Sequence, residues 1–263
     1  MFARIGNSGR STSSTFLVAI FAVLLSGCVS HGQQTLPTAA VEDSRAAAPK
    51  NVTIALLGAT GLAGGFILEQ ALAEGYDVRA LARTPQKLER YQGRITIIKG
   101  DALNSAALED LLAGSNVVIS ALGPVKADGG AAKMLNFSVT ADLVRLMPKY
   151  GIGRYILVSG AAVVMPGDDR NFTGWLMQQL VFLGLHSELE DKQAEYQLLA
   201  DSSLQWTLLR CPLLEAQPFV QPPVVSLETP TSFTLRAGEL ARFVVGQIDS
   251  GEFVGKGPFL SSD

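Results

Sequence analysis

The chain has 263 residues, 48% of them hydrophobic and 17% charged, with 26 Gly and 12 Pro, which excludes a wholly disordered or collagen-like polymer. Lys and Arg number 21 against 24 Asp and Glu, a formal balance of −3, so no basic excess marks a nucleic-acid binder. Two Cys leave no room for a disulfide framework, and a mean hydropathy of +0.26 raises the question of where the apolar residues are concentrated.

Part of the apolar excess lies at the front. Residues 1–27 carry Arg4 and Arg10 and no acid, and a Ser/Thr-rich stretch leads into the apolar segment 16–25. Ten residues of helix rise about 15 Å, half of the hydrocarbon core, which is short for a transmembrane span. A positive start, a short apolar core and small residues at its end form the pattern of an export signal. Leu25-Ser26-Gly27-Cys28 resembles the lipobox of bacterial lipoproteins. That resemblance implies removal of residues 1–27, diacylation of Cys28 and anchoring in the bacterial cell envelope, facing the periplasm or the exterior. The alternative is a non-functional signal and a cytoplasmic chain. Residues 28–50 are polar, aperiodic and contain Ala and Pro, as a flexible tether does, and His31 falls within it.

From Asn51 onward, short β-branched apolar runs alternate with longer helical stretches. Strands are expected at 52–57, 78–82, 95–99, 116–121, 155–159 and 205–210. Helices are expected at 62–74, 105–112, 135–149, largely over 171–199, and at 237–248. Continuous apolar strands separated by helices predict a parallel sheet covered on both faces. Right-handed crossovers then give an α/β fold, a doubly wound, mainly parallel Rossmann sheet forming one domain over residues 51–263. Ligands in such sheets bind beyond the carboxyl ends of the strands, here the loops after Leu57, Ala82, Lys99, Ala121, Val158 and Arg210.

The first of these loops reads Gly58-Ala59-Thr60-Gly61-Leu62-Ala63-Gly64-Gly65. Between a buried strand and a helix, Gly58 permits the tight turn, Gly61 lets the backbone approach a pyrophosphate, and Gly64 lets the helix pack near the strand. Gly58, Thr60, Gly61, Leu62 and Gly64 are therefore candidate cofactor-binding residues. At the end of the second strand, NAD sites usually carry an acid for the ribose 2′-hydroxyl; here Leu81-Ala82-Arg83-Thr84-Pro85-Gln86-Lys87 has none. Arg83 can instead fork onto a 2′-phosphate, with help from Thr84 or Lys87, so NADP is expected over NAD. After the third strand, Asp101 and the Ala102 amide fall where adenine lies, and Gly123 after the fourth strand allows close passage of the cofactor ribose.

These segments, with 154–160, 191–214 and 237–244, resemble the atypical short-chain dehydrogenase/reductase superfamily, in particular its NAD(P)H-binding, NmrA-like branch that includes biliverdin reductase B, a flavin reductase. The likeness spans residues 51–260. It implies a nicotinamide cofactor and hydride transfer, places a substrate-polarising Ser at Ser159, and matches Lys192 to the lysine expected near the nicotinamide ribose. One departure is plain: typical members pair Tyr with Lys four residues on. Here Tyr76, Tyr91, Tyr150, Tyr155 and Tyr196 are followed at that spacing by Ala80, Ile95, Arg154, Ser159 and Ala200. Hydride transfer without that pair suits acceptors needing little acid help, such as flavins and quinones.

The expected activity is thus NADPH-dependent reduction of a small apolar, quinone- or flavin-like acceptor. The alternative is a non-catalytic NADP(H)-binding sensor or partner-binding lipoprotein. Phe172, Trp175, Leu176, Leu180 and Leu183 recur at helical spacing, as a core face or as an apolar lid. His186 and Cys211 read as structural, and no cluster has metal-ligand spacing. The partners expected are a small-molecule substrate and a lipid bilayer, with no nucleic acid; oligomeric state is left open.

Overall fold

The computed structural model describes residues 50–123, 134–169 and 186–263. The proposed signal, Cys28, nearly all of the tether and the apolar positions 172–183 lie outside the described residues. The described residues fall within one compact unit.

The run Ile54-Ala55-Leu56-Leu57 is apolar without alternation because strand β1 (Thr53–Leu57) is covered on both faces. Its neighbours are β2 (Asp77–Ala82) and β4 (Val117–Ser120), both parallel to it. Helix α1 (Leu62–Ala73) connects β1 to β2, and α2 (Ser105–Leu112) connects β3 (Thr96–Lys99) to β4. Helix α3 (Leu135–Leu146) precedes β5 (Arg154–Gly160), and α4 (His186–Ala200) precedes β6 (Gln205–Cys211). Then follow β7 (Leu213–Glu215), β8 (Val224–Ser226), β9 (Thr234–Arg236), α5 (Ala237–Gly246) and β10 (Phe259–Ser261). The main sheet has the order β3-β2-β1-β4-β5-β6-β10-β8, parallel except that β8 runs antiparallel to β10, while β7 and β9 pair separately. This is a doubly wound, mainly parallel Rossmann-like domain, as the sequence predicts.

The strict two-residue period of a strand sorts the core into two layers. Ile54, Leu56, Ile119 and Ile156 pack with Ile67 and Leu68 of α1 and with Leu240 and Val244 of α5. Ala55, Leu57, Val118, Tyr155 and Leu157 face the other way, onto Leu108, Leu143, Leu146 and Leu199 of α2, α3 and α4. The helix expected over 135–149 stops earlier: α3 ends at Leu146 and tightens into a 3-10 turn over Met147–Tyr150. Pro148 has no N–H to donate back, which explains the change. The described part of the long helix expected over 171–199 is α4.

Candidate functional site

Gly58 ends β1 with φ +82°, in the region that side chains rarely adopt, and a Cβ there would lie 2.4 Å from the Ala121 carbonyl oxygen. The turn after β1 is therefore pressed onto the end of β4. Gly64 is tighter still: a Cβ would lie 2.1 Å from the Gly58 carbonyl oxygen, so the first turn of α1 rests directly on the loop. Gly61 sits at the N-cap of α1, which has no side-chain cap and no acid in its first turn. Thr60, Gly61 and Leu62 are exposed. A loop this close-set leaves the first-turn N–H groups facing outward with no carboxylate competing for them, and this fits a pyrophosphate.

Arg83, Thr84, Gln86 and Lys87 are exposed beyond β2, and a 3-10 turn over Pro85–Tyr91 begins there. The Lys87 amide donates to the Thr84 carbonyl at 3.1 Å, closing the first turn of that segment. Asp101 is engaged locally: its Oδ1 accepts the Leu103 amide at 2.9 Å, so the carboxylate stabilises the turn after β3. Ala102 is buried in the layer with Leu81 and Leu108. Gly123 is exposed, and an added Cβ would meet nothing within 4 Å, so the fold itself does not require glycine there.

Ser159 lies near the carboxyl end of β5, and Lys192 comes to the same strand end from α4. The Lys192 side chain passes over the strand end, with Cδ 3.8 Å from where a Gly160 Cβ would stand. Lys192 also acts electrostatically on Glu195 of its own helix and on Cys211 at the end of β6. The Ser159 hydroxyl is buried with no hydrogen-bond partner. Cys211 is a buried free thiol, pushed up to about 12 by burial and thus inert as a nucleophile.

Sequence reasoning missed the polar groups behind this pair. Asp191 of α4 accepts from the Asn136 and Phe137 amides at 3.0 and 2.8 Å and from Asn136 Nδ2 at 2.8 Å, capping α3 and joining the two helices. Glu195, one turn on, is 2% exposed. Its Oε1 accepts from Thr140 Oγ1 at 2.7 Å, and Thr140 Oγ1 meets the Tyr155 hydroxyl at 3.0 Å. Burial raises the Glu195 pKa, against the opposing pull of Lys192 and Thr140, and Oε2 has no partner. The available signal was spacing: Asp191, Glu195 and Leu199 fall at i, i+4 and i+8, one helix face, and Leu199 is apolar.

A surface depression of about 360 Å³ is lined by Pro85, Gln86, Glu89 and Ile97 among others, at the outer strand β3. None of the glycine turn, Ser159 or Lys192 lines it, so it is separate from the cleft described above. Among the described residues, no group of His, Cys, Asp and Glu could hold a metal ion, and no helix is long and apolar enough to cross a membrane.

Solved structures share this fold. ChuY from Escherichia coli O157:H7, an anaerobillin reductase, superposes with a TM-score of 0.67 at 18% identity, over 80% of this chain and 96% of that one. A candidate NAD-dependent epimerase/dehydratase from Bacillus halodurans gives 0.69 at 18% identity, over 81% and 94%. A candidate exported protein from Burkholderia pseudomallei gives 0.63 at 25% identity, over 80% and 99%. A 3-beta-hydroxysteroid dehydrogenase from Mycolicibacterium neoaurum is 26% identical over 125 residues, which cover 44% of this chain and about a third (34%) of that enzyme. The family model described as NAD(P)H-binding matches residues 58–250, from the first glycine of the turn to beyond α5, and the chain belongs to that NAD(P)H-binding family.

Proposed function

We propose that this chain is an NADP(H)-dependent reductase acting on a small apolar, quinone- or flavin-like acceptor, tethered to the bacterial cell envelope through an acylated Cys28. The observation that carries the catalytic reading is the buried, unpartnered Ser159 hydroxyl near the end of β5. The buried Ser159 hydroxyl has no partner, and Lys192, which reaches Gly160 at the same strand end, has no hydrogen bond or ion pair among the described residues. A buried hydroxyl left unpaired in a protein is destabilising, and such a group at a strand end is suited to donate to a ligand oxygen. Lys192 is suited to the coenzyme ribose, and the glycine turn to its pyrophosphate.

When bound, the coenzyme supplies the hydride. Ser159 would donate to the acceptor oxygen and Lys192 would orient the coenzyme. Arg83, with no acid between Leu81 and Lys87, supports selection of a 2′-phosphate and hence of NADP. The proposed boundaries are a signal at residues 1–27, a tether at 28–50 and the coenzyme-binding domain at 51–263. The likeness to a candidate exported protein from Burkholderia pseudomallei supports the export reading.

NADPH oxidation by the full chain with menadione and with FMN tests the activity. Turnover with either supports the reductase. Tight NADPH binding without turnover supports instead the non-catalytic sensor, which the missing Tyr-x-x-x-Lys pair favours. Fractionation and mass analysis for lipid on Cys28 test the anchor, and an unmodified Cys28 in a soluble fraction refutes it.

A further inference from the structure

Lys192 sits on α4 between two residues whose side chains bind two other parts of the fold. Asp191 reaches α3: its Oδ2 accepts from the Asn136 amide at 3.0 Å and from Asn136 Nδ2 at 2.8 Å, and its Oδ1 accepts from the Phe137 amide at 2.8 Å. Gln193 reaches the loop after β5. Its Oε1 accepts from the Val164 amide at 2.9 Å, and its Nε2 donates to the Val164 carbonyl at 2.9 Å. Successive residues of an α-helix project about 100° apart, so positions 191 and 193 are about 200° apart and hold α4 from opposite sides. Lys192 projects between them.

We propose that Asp191 and Gln193 are positioning residues that aim Lys192 across the carboxyl end of β5 toward the coenzyme ribose. The inference rests on the reductase reading above. Both anchors are attached to fixed parts of the fold. Asp191 is 3% exposed, and both of its carboxylate oxygens are committed to the start of α3. Val164 follows Ala161, Ala162 and Val163, all buried. In that stretch the Ala161 amide donates to the Cys211 carbonyl at 2.8 Å and the Val163 amide to the Gly160 carbonyl at 3.2 Å. Gln193 therefore ties α4 to a loop that begins at Gly160, the residue that the Lys192 stem reaches.

A lysine carries its charge on a flexible four-carbon stem, and the Lys192 ammonium has no hydrogen bond or ion pair among the described residues to hold it. Two things restrict it instead. The anchors on either side set the direction of its Cα–Cβ bond, and its Cδ lies 3.8 Å from where a Gly160 Cβ would stand, against the strand end. A side chain ordered before the ligand arrives loses less freedom on binding, so the two anchors strengthen coenzyme binding without touching the coenzyme. Attachment of α4 to the core does not depend on them alone, because Tyr196 and Leu199 of the same helix pack into the layer with Leu143 and Tyr155.

The test measures binding of NADPH and NADH, by coenzyme fluorescence, to the full chain and to Lys192→Met, Asp191→Asn and Gln193→Ala. It adds the two double variants that combine each anchor substitution with Lys192→Met. Lys192→Met is expected to weaken both coenzymes alike by about tenfold, since the ribose it meets is common to both. Each anchor variant is expected to weaken both by about three- to tenfold. In the Lys192→Met background the same substitutions are expected to change affinity by less than about twofold, because an anchor that acts through Lys192 then has nothing to position. Thermal melts establish that each variant is folded at the assay temperature. Gln193 is only partly buried, so its variant carries the test even where Asp191→Asn melts too low. A merely structural role moves both backgrounds equally, so additive effects overturn the positioning and leave the reductase standing, as do anchor variants of unchanged affinity. Unchanged affinity in Lys192→Met overturns the placement of Lys192 on the ribose and the positioning with it. A wild-type chain that binds neither coenzyme overturns the reductase reading and this inference together.

Discussion

Gly58→Ala tests the central turn, and the protein contains its own control. Gly58 and Gly114 have nearly the same backbone conformation, φ +82° and +79°. They differ in surroundings: a Cβ at Gly58 would lie 2.4 Å from the Ala121 carbonyl oxygen, whereas a Cβ at Gly114 would meet nothing within 4 Å. Alanine at Gly114 therefore carries only the penalty of a left-handed conformation, about 1–2 kcal/mol. Alanine at Gly58 carries that penalty and the displacement of β4's end, a further 1–3 kcal/mol, for a total of about 2–5 kcal/mol. Urea unfolding at equal m-value measures both, and the difference between the two variants isolates the close approach. In a domain of this size each kcal/mol lowers Tm by about 2–4 °C, so thermal melts resolve it as well. NADPH binding is expected to be lost in Gly58→Ala and kept in Gly114→Ala. Equal destabilisation of the two refutes the packing of Gly58 on Ala121, and undiminished NADPH affinity in Gly58→Ala refutes the assignment of the turn to the coenzyme.

Three further outcomes follow from buried polar groups. Asp168→Ala removes the carboxylate held 2.6 Å from the Arg210 guanidinium, both nearly fully buried, and is expected to destabilise by about 3–5 kcal/mol in urea titrations. Asp191→Ala uncaps α3 and separates it from α4, for which a loss of about 1–2 kcal/mol is expected, together with faster hydrogen exchange at Asn136 and Phe137. For Glu195, the folded-state pKa lies above the ordinary 4.5, so the folded chain binds more protons than the unfolded one between the two values. That contribution to stability is complete below 4.5 and is lost as pH rises toward the folded value. Glu195→Gln removes it, so the variant's urea midpoint is expected to rise relative to wild type between acid and neutral pH; a constant gap contradicts the raised pKa.

The sequence made the first half of the sheet legible because its signals are local. A β-branched run, a glycine-spaced turn and a helix closed by Gly75 specify β1 and α1 without reference to the rest of the chain. The strands β7, β8, β9 and β10 were not anticipated: each has three residues, too few for a period to register, and each is a strand only because a partner lies beside it. The glycine roles were legible for the same local reason, since Gly58 and Gly64 meet neighbours within a few residues or at the adjoining strand. Asp101 has a second, local role that its position did not announce: its Oδ1 accepts the Leu103 amide and holds the turn after β3. Glu195 was passed over because a charged residue on a helix is ordinarily solvated, and only the packing of α4 against α3 makes it an interior acid.

The most direct test of the account is equilibrium binding of NADPH and NADH to the full chain and to Arg83→Ala, followed by coenzyme fluorescence. The account predicts tighter binding of NADPH by wild type, and a fall of about 10–100-fold in the preference for NADPH over NADH when Arg83 is removed, the loss of a charge-assisted bond to the 2′-phosphate. Failure of the wild-type chain to bind either coenzyme contradicts the account, and an unchanged preference in Arg83→Ala contradicts its choice of NADP.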